Sequence, residues 1–276
     1  MRPWGQYLAG LTLLLLSHSA SAEISTGGAA ASEPATPALV LIIDDIGNQR
    51  SRGLAVIELP GPLTIAVLPY TPHGADLARE AHARGQEVML HAPMSNIGDE
   101  PLGEGALTAE LDEAEFRRRL EAALATVPNV RGVNNHMGSY LTQQGLQMAW
   151  MMQVLRHHGL YFVDSRTSHL TVAARTAEAA GIPNLSRHVF LDNQRTAEAI
   201  AERFDAAIAL AKAQGLAVAI GHPYPETIDY LREVLPGLQA EGIRLLTASE
   251  ALGLDGEESE EEALAQSRTS IPRSAM

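Results

Sequence analysis

Eight short apolar runs, each separated from the next by a segment with helical or turn character, constrain the fold of this chain more than any other feature. They are Ala38 to Ile43, Leu63 to Leu68, Glu87 to Leu90, Val130 to Val133, Leu160 to Val163, Arg187 to Leu191, Leu216 to Ile220 and Ile243 to Leu246. Between them, Asp112 and Glu115 stand at capping-box spacing before a stripe of Phe116, Leu120 and Leu124. A second stripe, Ile200, Phe204, Ile208 and Ala211, stops at Gly215. Repeated strand–helix units fold as a parallel sheet with helices packed on it, so the fold class is α/β. An open doubly wound sheet and a closed (β/α) barrel both satisfy this pattern. About eight strands in one domain, with no dinucleotide-type glycine fingerprint after the first run, favour the barrel. No internal repeat is visible.

The ends of the chain read differently. Residues 1–22 carry Arg2, an apolar stretch from Leu8 to Leu16 and the small-residue ending Ala20-Ser21-Ala22, the pattern of a secretory signal peptide cleaved before Glu23. An uncleaved anchor is the alternative, but the apolar stretch is far shorter than the ~20 residues that span a bilayer. The expected product is therefore exported, periplasmic or extracellular, with no stable membrane insertion after cleavage. Residues 23–36, rich in Gly, Ala, Ser, Thr and Pro, read as a flexible linker, residues 37–254 as the folded unit and residues 255–276 as an acidic disordered tail. The chain has no cysteine, which excludes disulfides and thiol chemistry. Its net charge is −13, and removing the tail's −4 and the leader's +1 leaves residues 23–254 at −10, which argues against nucleic acid as a partner.

In parallel α/β folds the chemistry sits at the C-terminal ends of the strands, and polar residues gather there in this sequence. The first run ends in Asp44-Asp45, the third leads into His91, and the fourth into Asn134-Asn135-His136. The fifth leads into Asp164-Ser165-Arg166, the sixth holds His188 and ends at Asp192, and the seventh leads into His222-Pro223-Tyr224. Two imidazoles and one carboxylate with an open position form the pattern of a catalytic zinc site. A second aspartate beside them can take a proton, and a further histidine can give one. Asn134 and Asn135 read equally as turn residues or as amides that orient a ligand or hydrogen-bond the substrate. Asp164 reads either as the ion-pair partner of Arg166 or as a direct participant. His188 is expected to pack below the site, and Glu226 to favour the start of the following helix.

The stretches Ile42-Ile43-Asp44-Asp45-Ile46-Gly47, Gly132-Val133-Asn134-Asn135-His136-Met137-Gly138-Ser139, Asp164-Ser165-Arg166-Thr167 and Gly221-His222-Pro223-Tyr224-Pro225 resemble those of a known family. Over roughly Pro37 to Leu252 the chain is similar to divergent polysaccharide deacetylases of the NodB-like carbohydrate esterase superfamily. That resemblance implies a distorted (β/α) barrel of about seven or eight parallel strands that hydrolyses N- or O-linked acetyl groups from a glycan. It makes Asp44 the general base, Asp45 a metal ligand, His91 a second ligand and His222 the histidine that assists the leaving group. In the family pattern another ligand histidine follows about four residues after the first, a place held here by Ser95. His136 on the next run is its expected replacement, which gives a ligand set of Asp45, His91 and His136, with His222 an alternative ligand. The family's strand-four arginine, which orients the base, is absent, and Arg166 is a candidate to reach Asp44 instead.

The leading expectation is a Zn2+-dependent carbohydrate hydrolase, with another divalent transition metal as an alternative. Tyr224, beside His222, is expected either to contact the substrate or to support the site from behind, and Tyr70, Tyr140 and Tyr161 are also available near strand ends to stack on sugar rings. A non-catalytic glycan-binding or cell-envelope assembly protein that keeps the barrel and metal site is the alternative. A third reading, an amidase or phosphoesterase on a similar barrel, is weaker because phosphate favours a more basic site.

Overall fold

The computed structural model describes residues 36–254, so the expected leader, nearly all of the linker and the acidic tail lie outside the described residues. One all-parallel sheet of nine strands forms the body: β1 (Ala38–Ile46), β2 (Thr64–Val67), β3 (Glu87–Met94), β4 (Val130–Met137), β5 (Tyr161–Asp164), β6 (Asn184–Ser186), β7 (Val189–Phe190), β8 (Leu216–Gly221) and β9 (Arg244–Leu246). The helices are α1 (Arg50–Ile57), α2 (Gly74–Ala83), α3 (Glu113–Thr126), α4 (Gly145–His157), α5 (Ala173–Ala179), α6 (Ala197–Gln214), α7 (Pro225–Val234) and α8 (Ala248–Ala251). Strand order along the curled sheet is β6-β5-β4-β3-β2-β1-β8-β7. The short β9 pairs with residues 38–40 of β1 on the edge that β2 takes over from Ile42 onward.

The run expected as one strand from Arg187 to Leu191 forms only the two-residue β7, which pairs with β8, and the strand just before it, β6, was not expected and pairs with β5. The change of partner falls between Arg187, whose N–H donates to the Asp164 carbonyl, and His188, whose N–H donates to the Val218 carbonyl. The two ends of the curl are therefore consecutive pieces of one chain segment, and this distorts the barrel.

Alternation along the strands creates two cores. Leu39, Leu41 and Ile43 face outward and pack with Val56, Leu77, Phe116, Met151 and Phe204 of the surrounding helices. Val40 and Ile42 face inward with Ala66, Met89, Tyr161, Val163, Val218 and Ile220. Continuing the inward rows by two residues reaches Asp44 on β1 and His91 on β3, both buried. The same alternation that fills the barrel thus lifts these two polar side chains onto its C-terminal rim.

The N-terminal end of the barrel is closed by α8, whose Ala248 belongs to the inner core. The Glu87 carboxylate accepts from Thr64 Oγ1 at 2.9 Å, from the Tyr161 hydroxyl at 2.7 Å and from the backbone N–H of Ala248 at 3.0 Å. Tyr161 reaches it because its ring lies over Gly132, where an added Cβ would stand 2.2 Å from the ring. With that end closed, the chemistry is left to the opposite rim.

β3 and β4 each run four residues past the ends of their apolar runs, pairing His91 with Asn134 and Pro93 with His136. Pro93 is tolerated because β2 has ended at Val67, opposite Leu90, so no ladder bond is lost on that side. Asp112 caps α3 by accepting from the Glu115 N–H at 2.9 Å. The Glu115 carboxylate does not complete a capping box. It pairs with Arg118 and Arg119 instead, each at 2.7 Å.

Candidate active site

Asp44 and Asp45 reach one cluster because β1 is irregular at its end. Pairing with β2 is regular through Ile43 and resumes only at Ile46. Asp45 has φ of 60°, which turns a side chain that strict alternation would send outward back toward its neighbours. Met137, at the end of β4, and Arg166, just after β5, also adopt positive φ, at 54° and 48°. Such conformations cost of order 1–3 kcal/mol each and concentrate at functional sites.

Asp45, His91 and His136 converge. Asp45 Oδ1 lies 2.9 Å from His136 Nδ1 and 3.2 Å from His91 Nε2, and the two ring nitrogens are 3.0 Å apart. His91 Nδ1 is committed to the Asn134 amide oxygen at 2.7 Å. An amide oxygen only accepts, so His91 donates there and presents its Nε2 lone pair to the cluster. Asp45 Oδ1 is buried and, despite these approaches, forms no well-directed hydrogen bond. Two imidazole lone pairs and a carboxylate oxygen facing one point repel one another unless a cation stands between them. A tetrahedral zinc with bonds of about 2.0–2.1 Å holds its ligand atoms about 3.3 Å apart, close to the separations found here. The three residues fit a divalent ion. Without one, protons take its part: His91 titrates above the usual imidazole range, its burial overcome by Asp44 and Asp45. Asp45 stays far below the usual carboxylate range, where His136 and His91 outweigh its burial.

Asp44 lies just outside this triad, with Oδ2 3.6 Å from His91 Nε2. The Asn134 side chain, while accepting from His91, donates Nδ2–H to Asp44 Oδ1 at 2.7 Å. Asn134 therefore holds one candidate ligand and the candidate base in a fixed relation. Burial raises the pKa of Asp44, opposed by His91, His222 and the Asn134 hydrogen bond. Arg166 does not take this place: its side chain is exposed, and its backbone carbonyl accepts from Arg187 at 2.8 Å.

His222 is fixed by Asp192. Its Nδ1 pairs with Asp192 Oδ1 at 2.8 Å, its backbone N–H donates to Oδ2 at 2.6 Å, and Thr227 Oγ1 donates to the same oxygen at 2.9 Å. The imidazole stacks between Phe190, at 6.1 Å, and Tyr224, at 5.5 Å. Each of those rings carries a guanidinium, Arg187 at 3.8 Å from Phe190 and Arg195 at 3.7 Å from Tyr224. Burial disfavours the imidazolium, but Asp192, and more distantly Asp44 and Asp45, push its pKa up to about 9. A group that donates a proton in its charged form works below its pKa and fails above it. Asp192→Asn is thus expected to move the alkaline limb of the pH–rate profile down by about a unit or more. An unmoved limb would show that His222 does not set it.

The remaining expected residues organise the rim. Asn135 accepts from the Ser165 N–H and donates to the Met137 carbonyl, tying the ends of β4 and β5 together. Asp164 accepts from the Arg166 N–H and the Thr171 hydroxyl, and makes no side-chain ion pair with Arg166 among the described residues. His188 Nδ1 accepts from the Val218 N–H on β8, away from the triad. Tyr224 accepts from Arg195 at 2.8 Å. Sequence reasoning placed Asp192 among the polar residues of the rim without a specific role and gave none to Phe190, Arg187 or Arg195. An aspartate closing the sixth run, opposite a histidine closing the seventh, is the one signal that pointed to a pair. Two cavities open from Asp45 and Asn48: one of about 350 Å³ runs past His136 to Tyr70, Leu102 and Glu104, and one of about 160 Å³ runs to Arg52 and Tyr224.

Residues 41–252 match the family model described as divergent polysaccharide deacetylase. The chain belongs to that family. YibQ of Escherichia coli is 37% identical over 214 residues, 78% of this chain and 67% of that protein. A Haemophilus influenzae protein is 34% identical over 200 residues, 72% of this chain and 71% of that one. Among solved structures, ATU2773 from Agrobacterium tumefaciens shares the fold with a TM-score of 0.75 at 21% identity, covering 80% of this chain and 91% of that one. BA3943 from Bacillus anthracis, a CE4 family pseudoenzyme, is similar with a TM-score of 0.50 at 14% identity, covering 79% and 68%. This divergent polysaccharide deacetylase thus has the curled parallel barrel of such proteins. No helix among its described residues is long and apolar enough to cross a membrane.

Proposed function

We propose that this divergent polysaccharide deacetylase is an exported, metal-dependent hydrolase that removes acetyl groups from a glycan. The observation that carries the proposal is the convergence of Asp45, His91 and His136 on one point, with Asp44 held beside them by Asn134. When bound there, a divalent ion supplies a Lewis acid for the acetyl carbonyl and makes a water easier to deprotonate. Zinc suits the imidazole and carboxylate donors, and nickel, cobalt or iron(II) accept the same set. Asp44 takes the proton of the attacking water, and Asn134 keeps its carboxylate aimed during the transfer. His222, whose Nδ1 is held by Asp192, gives its Nε2 proton to the departing amine or alcohol. Acetate and the deacetylated sugar leave, and solvent returns the proton from Asp44 to His222.

The test uses protein purified from the exported fraction, whose first residue is expected to be Glu23. Acetate release from acetylated oligosaccharides should depend on added divalent metal and stop on chelation. Release that is unaffected by chelation would overturn the metal role.

Two departures from the family pattern favour a second reading. Ser95 stands where another ligand histidine is expected, and an amide, Asn134, replaces the arginine that orients the base. In that reading the site binds metal and glycan without turnover: the same oligosaccharides bind saturably in a titration, and the assay gives no acetate.

A further inference from the structure

The smaller cavity beside the site holds a positive charge that no carboxylate among the described residues pairs with. Arg52, from α1, is half-buried in its wall and has no carboxylate partner among the described residues. Several other arginines do pair with carboxylates, among them Arg79 with Asp76 at 2.9 Å, Arg84 with Glu80 at 2.8 Å and Arg232 with Asp229 at 2.8 Å. The chain carries 33 acidic residues against 20 basic ones, so an unpaired arginine in this wall is not explained by a shortage of acids. Asp45, the acid that lines the same cavity, is committed to the two imidazoles. Tyr224, on the cavity wall, brings a second guanidinium close, since Arg195 stacks on its ring and donates to its hydroxyl, a neutral acceptor. A partly desolvated guanidinium without a counter-charge is costly, and its planar donor fork matches a carboxylate.

Resting on the deacetylase reading, we propose that the substrate is an acidic glycan. A carboxylate-bearing sugar next to the reacting one enters the cavity between Arg52 and Tyr224, and Arg52 pairs with it. Arg52 is then a specificity-determining residue for substrate class and takes no part in proton transfer.

The test is calorimetric titration of the zinc-loaded mature protein with two tetrasaccharides, an oligogalacturonate and a neutral N-acetylated chito-oligosaccharide. The acidic probe is expected to bind about tenfold to a hundredfold more tightly. Arg52→Ala should remove that preference, Arg52→Lys should restore part of it, and Arg79→Ala, which alters a remote surface pair, should not change it. Equal binding of both probes, binding of neither, or an unchanged preference in Arg52→Ala would overturn the proposal. Acetate release is read separately. A preference without release leaves the subsite standing and sinks the deacetylase reading, whereas release without a preference sinks the subsite alone.

Discussion

Replacing Asp44 with asparagine is expected to lower acetate release by about 10²–10⁴-fold while leaving the bound metal in place, the range for loss of a positioned general base. The separation of the two effects follows from geometry. Asp45 Oδ1 lies within 3.2 Å of both imidazole nitrogens, whereas the nearer Asp44 approach is 3.6 Å, to His91 alone. Asparagine keeps the shape of the buried side chain and still offers an oxygen to the Asn134 amide, so the inner wall should not repack. What it loses is the capacity to take a proton. Metal content by plasma mass spectrometry and single-turnover acetate release, measured on one preparation, separate the two roles. Turnover within a few-fold of wild type would assign the proton transfer to another group, and lost metal would place Asp44 among the ligands.

The sequence reveals most about the parts of the fold made by repeated burial. Every strand of the curl except β6 has an apolar run behind it, because a strand covered on both faces is apolar at nearly every position. Boundaries fail where that logic stops. β3 and β4 outlast their runs because His91, Asn134 and His136 continue the inward-facing rows with polar side chains. β6, with Asn184 and Ser186 in three residues, offers no apolar run to read. Residues 184–190 change partner from β5 to β8, and that switch depends on how the two ends of the curl meet.

The site is legible to the same depth. Which residue types gather at the rim follows from the strand ends, so the convergence of Asp45, His91 and His136 was open to sequence reasoning. Which residue holds which was not. A missing arginine pointed toward another cation, Arg166, but the work of orienting Asp44 falls to Asn134, an uncharged side chain on the adjacent inward row. An amide can do so because it also accepts from His91, joining the candidate base and a candidate ligand through one residue. Asp192 and His222 lie thirty positions apart, and only the adjacency of their strand ends makes them a pair.

His136→Ala should abolish metal retention. A catalytic zinc site keeps three protein ligands, and the substitution leaves two, Asp45 and His91. It also removes the closer of the two imidazoles facing Asp45 Oδ1, a buried oxygen that forms no well-directed hydrogen bond. Asn134→Ala provides the graded comparison. It leaves all three donors but frees His91 Nδ1 and Asp44 Oδ1 from their shared amide, and loss of such an outer partner typically weakens metal binding 10–100-fold. Ion content after desalting, together with the rise in melting temperature on adding zinc, reads both variants, since an ion bound only by the native state stabilises it in proportion to the logarithm of its saturation. The expected order is a full shift in wild type, a shift needing more zinc in Asn134→Ala, and none in His136→Ala. A stoichiometric ion in His136→Ala would instead give the third position to His222, the other imidazole on this rim, and would remove it from the role of proton donor.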